Sequence, residues 1–218
     1  MYRRYVHRQL KALLRDAEGS SHFVVAIFVD IRGFSSFAKM AESVEATVFL
    51  KCVNTKIIDE YFSEASFFKL NGDGMLLIIE YRPGQVGDAV NYAVDSSLRL
   101  VHDFPALTDD EPMVNFDTPN LLGVGVARGA ATRLDSGDLI LDYIGRPLNL
   151  AARLIDLARP SGVAFDQSLG PDLLKPDLLS QFTTDQAYLK GIAEAEPLKV
   201  WIASERTVVS PPTKQPIS

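Results

Sequence analysis

The residue types with the sharpest chemical potential are two aspartates at the ends of strand-like runs. Asp30 follows Phe23 to Val29, an apolar run rich in β-branched and aromatic residues and short enough for a buried strand. Asp73 lies in Asn71-Gly72-Asp73-Gly74, a tight turn joining Phe67 to Leu70 with Met75 to Tyr81 in a hairpin signature. If these strands are neighbours, both carboxylates reach one edge of a sheet. Two oxygen ligands so placed, with backbone carbonyls and waters, suit Mg²⁺ or Mn²⁺ and the phosphates of a substrate. Gly33-Phe34-Ser35 turns the chain after Asp30 and opens a helix, whose free N–H groups and dipole favour a phosphate. Taken singly, a Gly-Asp-Gly turn is ordinarily just a hairpin turn, and a strand-end Asp ordinarily a cap.

A second set of residues is basic or polar. Asn149 and Arg153 are four apart on a helix that starts at Pro147, so they share a face. Alone, that spacing describes a surface pair. Lys190-Gly191 falls between two strand-like segments, ordinarily the place of a solvated lysine. Lys69 and Asp142 interrupt otherwise apolar strands, and a buried charge needs a partner. They either pair with each other or read a ligand together.

The elements that must position these residues follow from periodicity. Residues 2–17 have apolar residues at helical spacing between arginines and lysines, a basic amphipathic helix that Gly19-Ser20-Ser21 stops. Helical patterns also cover Ser36 to Glu64, Asp88 to Phe104 and Pro147 to Ala158, with proline well suited to a first turn. Further strands are expected over Leu121 to Ala131, Leu139 to Ile144, Val163 to Phe165, Ala187 to Leu189 and Leu198 to Ile202. The acidic stretch Pro105 to Pro119 reads as a loop. This order suggests an α+β fold, a sheet with helices largely on one face. The expected organisation is an N-terminal helix over 1–19, one domain over 20–203 and a Pro-containing tail over 204–218.

Composition narrows the classes. With 47% hydrophobic and 23% charged residues the chain can fill a core, which excludes disorder, collagen-like repeats and coiled coils. A net charge of −6 argues against a nucleic-acid partner, since duplex binders carry a basic field. No apolar run is long enough for a membrane span, and no apolar segment follows the basic start as in a secretory signal. The single cysteine, Cys52, leaves neither an internal disulfide nor a cysteine-rich zinc site, and the expected compartment is the cytoplasm.

Together these residues resemble one family, the class III nucleotidyl cyclases, which include adenylate and guanylate cyclases. Phe28-Val29-Asp30-Ile31-Arg32-Gly33-Phe34-Ser35 looks like the opening motif, and Lys69-Leu70-Asn71-Gly72-Asp73 like the second metal motif. Asp142-Tyr143-Ile144-Gly145 with Asn149-Leu150-Ala151-Ala152-Arg153-Leu154 is similar to the base and transition-state segment, and Leu189-Lys190-Gly191 to the late phosphate-binding lysine. The resemblance implies a ferredoxin-like catalytic domain with a central, mainly antiparallel sheet and flanking helices. It implies two divalent cations, Mn²⁺ or Mg²⁺, held by Asp30, Asp73 and the Ile31 carbonyl, with phosphate contacts at Gly33, Phe34, Ser35 and Lys190. Asn149 would orient the ribose, Arg153 would stabilise the transition state, and Lys69 with Asp142 would select the base. It also implies a head-to-tail homodimer with nucleoside triphosphate sites shared across the interface, the two aspartates from one subunit and the other residues from its partner.

The base-selecting pair is less exclusive than it looks. Lysine only donates and an ionised aspartate only accepts. Adenine satisfies both through N1 and its amino group, cytosine through N3 and its amino group, and uracil through O4 and N3–H. Pocket size must therefore decide. The Gly-Gly turn usual before the second motif is replaced by Ser63-Glu64-Ala65-Ser66 and then Phe67-Phe68, rings that either narrow the base pocket or join the core. A helix in place of a preceding sensor domain is similar to free-standing bacterial pyrimidine cyclases of anti-phage signalling. The expected substrate is UTP, giving cUMP as an antiviral second messenger. ATP is the alternative, and a non-catalytic nucleotide-binding relic the less favoured reading.

Overall fold

A computed structural model describes residues 10–204. Most of the helix expected over 2–17, and the tail from 205 on, lie outside the described residues. Residues 10–15 are helical (α1), and β1 (Glu18–Arg32) begins at once. The helix therefore stops at Arg15, before Gly19-Ser20-Ser21, which were expected to stop it but belong to the strand, paired with Leu134, Arg133 and Thr132.

β1 is the spine of the sheet because its central residues are apolar at every position. Val24, Val25, Ala26 and Ile27 are all fully buried, so both faces of the strand are covered and the sequence shows a continuous run where a half-solvated strand would alternate. Among the described residues the sheet has eight strands, seven of them in the order β2 (Phe67–Asn71), β3 (Gly74–Glu80), β1, β4 (Leu121–Ser136), β6 (Gly162–Asp166), β8 (Ala193–Ser204) and β7 (Thr183–Leu189). β5 (Leu139–Ile144) also pairs with β4, near its C-terminal end. Among the described residues only the β4–β6 pairing is parallel.

One face of the sheet carries Val25, Ile27 and Val29 of β1 with Val124 and Val126 of β4, packed against α3 (Ser43–Lys56) and α4 (Val86–Asp103). On the other, Val24 and Ala26 meet Leu150, Ala151 and Leu154 of α5 (Arg146–Leu154). Most helices share one face, as expected, but α5 lies on the reverse.

The helix expected over Ser36 to Glu64 is divided. α2 (Phe34–Met40) ends where Ala41 and Glu42 turn extended, with ψ of 150° and 151°. Glu42 then caps α3 reciprocally with Glu45, each side chain accepting an N–H from the other's backbone. A π-helical turn, Ile57–Tyr61, completes the run. Helical periodicity continues across the break because Phe37 and Phe49 fill the same core, their ring centres 5.4 Å apart.

α5 approaches β4 closely because β4 is small on that face. A Cβ on Gly125 would stand 2.0 Å from the Ala151 carbonyl oxygen, so only glycine admits the helix there.

Candidate active site

Asp30 aligns with Gly74 of β3 and Gly123 of β4 near the end of β1. The hairpin turn that carries Asp73 is drawn onto this strand end. Ile31 donates its N–H to the Asp73 carbonyl at 3.4 Å, and Gly72 takes a φ of +69°, where glycine is favoured. A Cβ on Gly74 would meet the Val29 carbonyl at 2.7 Å, so the hairpin needs glycine to close. The turn that bears Asp73 thus lies beside Asp30 at the end of β1. The Asp30 pKa is raised above its ordinary 3.8, first by burial and also by Asp73, while Arg32 opposes the rise. The corner holds two carboxylates against one adjacent guanidinium.

That donor set fits a hard divalent cation: carboxylate and carbonyl oxygens without sulfur or imidazole. The Ile31 side chain is buried in the core, so only its backbone could contribute. Among the described residues no cluster of three or more His, Cys, Asp or Glu side chains forms, so backbone and water oxygens must complete any coordination here. Gly33 takes a φ of 76° at the start of α2. Its carbonyl accepts the N–H groups of Ser36 and Phe37, leaving those of Phe34 and Ser35 at the helix start. The Phe34 ring packs on Phe37 and Phe49, so only its backbone is free to meet a ligand.

Arg32 stands beside Asp30 although it had no assigned role in the sequence. Residues two apart on a strand share a face, and that spacing was the available signal. Its Nη1 donates to Asp30 Oδ2 at 2.6 Å and its Nη2 to the Ile155 carbonyl, just past α5, at 2.5 Å.

Lys69 and Asp142 pair directly, 2.6 Å from Nζ to Oδ2, across β2 and β5. Asp142 is further fixed by the Tyr143 N–H at 2.9 Å. The Tyr143 hydroxyl donates to Glu80 at 2.5 Å, and Arg133 bridges Glu80 and Asp135 at 3.1 and 2.9 Å. Burial, and then the Glu80 carboxylate, push the Tyr143 pKa up, so it stays a donor. The two rings replacing the Gly-Gly turn part company. Phe67 lies on the Lys69 side, its ring centre 5.3 Å from that of Tyr143, whereas Phe68 is half exposed on the opposite face.

Asn149, Arg153 and Lys190 line one cavity of about 790 Å³ between α5 and the β7–β8 turn. Arg146 joins them and was missed. It precedes Asn149 by three and Arg153 by seven residues, so the helical period alone places it on their face. Among the described residues none that lines this cavity is acidic, which gives it a positive lining suited to a polyanion. Neither Asp30 nor Asp73 is among its walls. In the sheet order the carboxylates lie on the β1–β3 side of β4, and Lys190 lies beyond β6, in the β7–β8 turn.

No protein-family model matches the sequence, and no curated protein matches it. Solved structures do. The adenylyl cyclase CyaB from P. aeruginosa superimposes with a TM-score of 0.68 at 19% identity, covering 86% of this chain and 96% of that one. The guanylyl cyclase Cya2 gives 0.64 at 17% identity, over 88% and 97% of the two chains. The guanylate cyclase domain of RhGC from Catenaria anguillulae, solved in complex with GTP, gives 0.62 at 18% identity, over 84% and 97%. The fold is therefore that of class III cyclase catalytic domains: mixed α and β, with a central, mostly antiparallel sheet and flanking helices. Among the described residues no helix is long and apolar enough to cross a membrane.

Proposed function

We propose that this chain is a class III nucleotidyl cyclase that converts a nucleoside triphosphate into a 3′,5′-cyclic monophosphate and pyrophosphate. One observation carries the reading. A carboxylate corner at Asp30 and Asp73 and a cavity walled by Arg146, Asn149, Arg153 and Lys190 but by neither aspartate occur in one chain. Two copies set head to tail would bring one chain's corner to the other's cavity, which supports a homodimer with shared sites.

In the reaction O3′ of the ribose bonds to the α-phosphorus as the bond to the bridging oxygen breaks. The hydroxyl proton leaves to solvent and pyrophosphate departs. Asp30, Asp73 and the Ile31 carbonyl would hold two divalent cations, Mn²⁺ or Mg²⁺. Bound there, such ions supply Lewis acidity that lowers the pKa of the 3′-OH and offsets triphosphate charge. From the partner, Arg153 would meet the charge building on the α-phosphoryl oxygens and Asn149 would orient the ribose. Lys190 would hold the outer phosphates, with further donors at Gly33, Phe34 and Ser35. Positioning and electrostatics suffice for such a transfer.

The lead substrate is UTP, giving cUMP as a second messenger of anti-phage defence in the cytoplasm. Lys69 as donor and Asp142 as acceptor match uracil O4 and N3–H. Phe67 packs with the buried Tyr143 ring in the core, so the preference for a single-ring base rests on the resemblance to free-standing pyrimidine cyclases. Adenine satisfies the same code, which keeps ATP as the second reading. Retention of Asp30, Asp73, Asn149 and Arg153 weighs against a non-catalytic relic. The test is incubation with Mn²⁺ and each triphosphate separately, with the product identified by mass. Cyclisation of UTP supports the lead. Cyclisation of ATP alone refutes the pyrimidine reading, and a folded dimer that cyclises none refutes the cyclase.

A further inference from the structure

Arg32 is held more tightly than a motif filler requires. Its side chain is only 10% exposed, and it spans Asp30 Oδ2 at 2.6 Å and the Ile155 carbonyl at 2.5 Å. Its Nε is buried with no hydrogen-bond partner among the described residues, an arrangement that costs stability. β4 makes room for it: a Cβ on Gly123 would lie 2.2 Å from an Arg32 terminal nitrogen.

We propose that Arg32 guards the carboxylate corner, occupying Asp30 while no cation is bound and keeping affinity for a free divalent cation low until a triphosphate adds its own negative charge. This rests on the reading of Asp30 and Asp73 as metal ligands. Two effects of the arginine oppose each other. It orients Asp30, which would help a cation, and it repels any cation that approaches the same carboxylate. Freezing one short side chain is a small entropic gain. Repulsion between a guanidinium and a divalent ion on one partly buried carboxylate is larger, because burial weakens solvent screening. Repulsion wins. Arg159 and Asp156 also act on Asp30 and offset one another in sign, so Arg32 remains the principal cation at the corner.

The test is titration of nucleotide-free protein with Mn²⁺ alone, followed by the electron paramagnetic resonance of the free ion. Arg32→Gln keeps a donor for the Ile155 carbonyl but removes the charge, and should bind Mn²⁺ about tenfold more tightly or better, equivalent to ~1.4 kcal/mol. Arg32→Lys keeps the charge and should stay near wild type. Gly123→Ala leaves the arginine in place but drives its guanidinium off Asp30, and should shift affinity in the same direction as Arg32→Gln. Unchanged or weaker binding by folded Arg32→Gln, with Gly123→Ala behaving alike, overturns the guard and leaves Arg32 an orienting group. If wild type binds no Mn²⁺ even with a triphosphate present, or Asp30→Asn binds as well as wild type, the metal reading itself fails and the guard with it.

Discussion

Breaking the Lys69–Asp142 pair separates a structural role from a base-reading one, because the two roles predict costs of different size. The pair is short, 2.6 Å, but its side chains are 51% and 31% exposed. Exposed ion pairs contribute about 0.2–1 kcal/mol to stability, since water screens the charges and long side chains lose entropy. Lys69→Ala, Asp142→Ala and the double variant should therefore give a coupling below about 1 kcal/mol in urea unfolding. Binding a base requires the pair to open and each partner to bond the ring. Hydrogen bonds to charged groups are worth about 1.5–3 kcal/mol, so losing one should lower kcat/KM for the preferred triphosphate roughly 10- to 150-fold. The weak pair makes the exchange cheap.

The assay is kcat/KM for all four triphosphates beside unfolding free energies for the same proteins. Each single variant should lose discrimination among bases while its melting behaviour barely moves. A coupling near 3 kcal/mol in unfolding with unchanged base preference would refute the reasoning and make the pair a clasp between β2 and β5. Tyr143→Phe serves as a control: Glu80 keeps its Arg133 contact, so the cost should be about 1 kcal/mol of stability.

Three further outcomes are expected. Gly125→Ala must lift α5, since the atom it would strike is backbone, and should cost about 1–3 kcal/mol in urea unfolding with a larger loss of kcat than of substrate affinity. Arg146→Ala should raise KM for the triphosphate with little change in unfolding, because the side chain is exposed in the cavity wall. Asp103 lies below its ordinary 3.8 because of hydrogen bonds from His102 and Tyr61, so its contribution is present above 3.8 and lost as pH falls through the lower folded value; the stability gap between wild type and Asp103→Asn, measured by thermal unfolding, should close on acidification below that point.

What could be read from the sequence divides along physical lines. Strands whose apolar run is continuous, such as Val24 to Ile27, announce themselves, because burial on both faces leaves no polar position to blur the pattern. The hairpin at Asn71 to Gly74 is equally legible, since few sequences supply the positive φ taken by Gly72. The division of α2 from α3 was hidden. Ala41 and Glu42 break the helix through backbone angles while the apolar period runs on around Phe37 and Phe49. The start of β1 and the end of β4 could not be bounded from pattern, because their outer pairs, Glu18 to Ser21 with Asp135 to Thr132, are exposed or partly exposed and held by the ladder. Within the site, the residues met by resemblance fall into three local groups. Arg32 and Arg146 went unassigned because arginine is unremarkable in any exposed-looking segment; only the strand period and the helix period, applied outward from Asp30 and Asn149, could have picked them out.

The placement of α5 connects these groups through one strip of small residues. Gly123 admits the Arg32 guanidinium and Gly125 admits the Ala151 carbonyl, so the same face of β4 accommodates both the acidic corner's counter-charge and the helix that bears Asn149 and Arg153. Arg32 also holds the carbonyl of Ile155, just beyond the end of that helix. The acidic corner and the basic cavity of one chain are therefore both tied to α5 and the turn that follows it. Any shift of Arg32 away from Asp30 must release or carry that carbonyl. Because glycine leaves no side chain to absorb the movement, the shift passes to the backbone of α5 and not into a flexible contact. Larger residues at 123 or 125 would leave the two aspartates and the cavity side chains unchanged in identity, yet would uncouple their positions. For this reason the glycines of β4 matter as much to the site as the residues that would touch substrate.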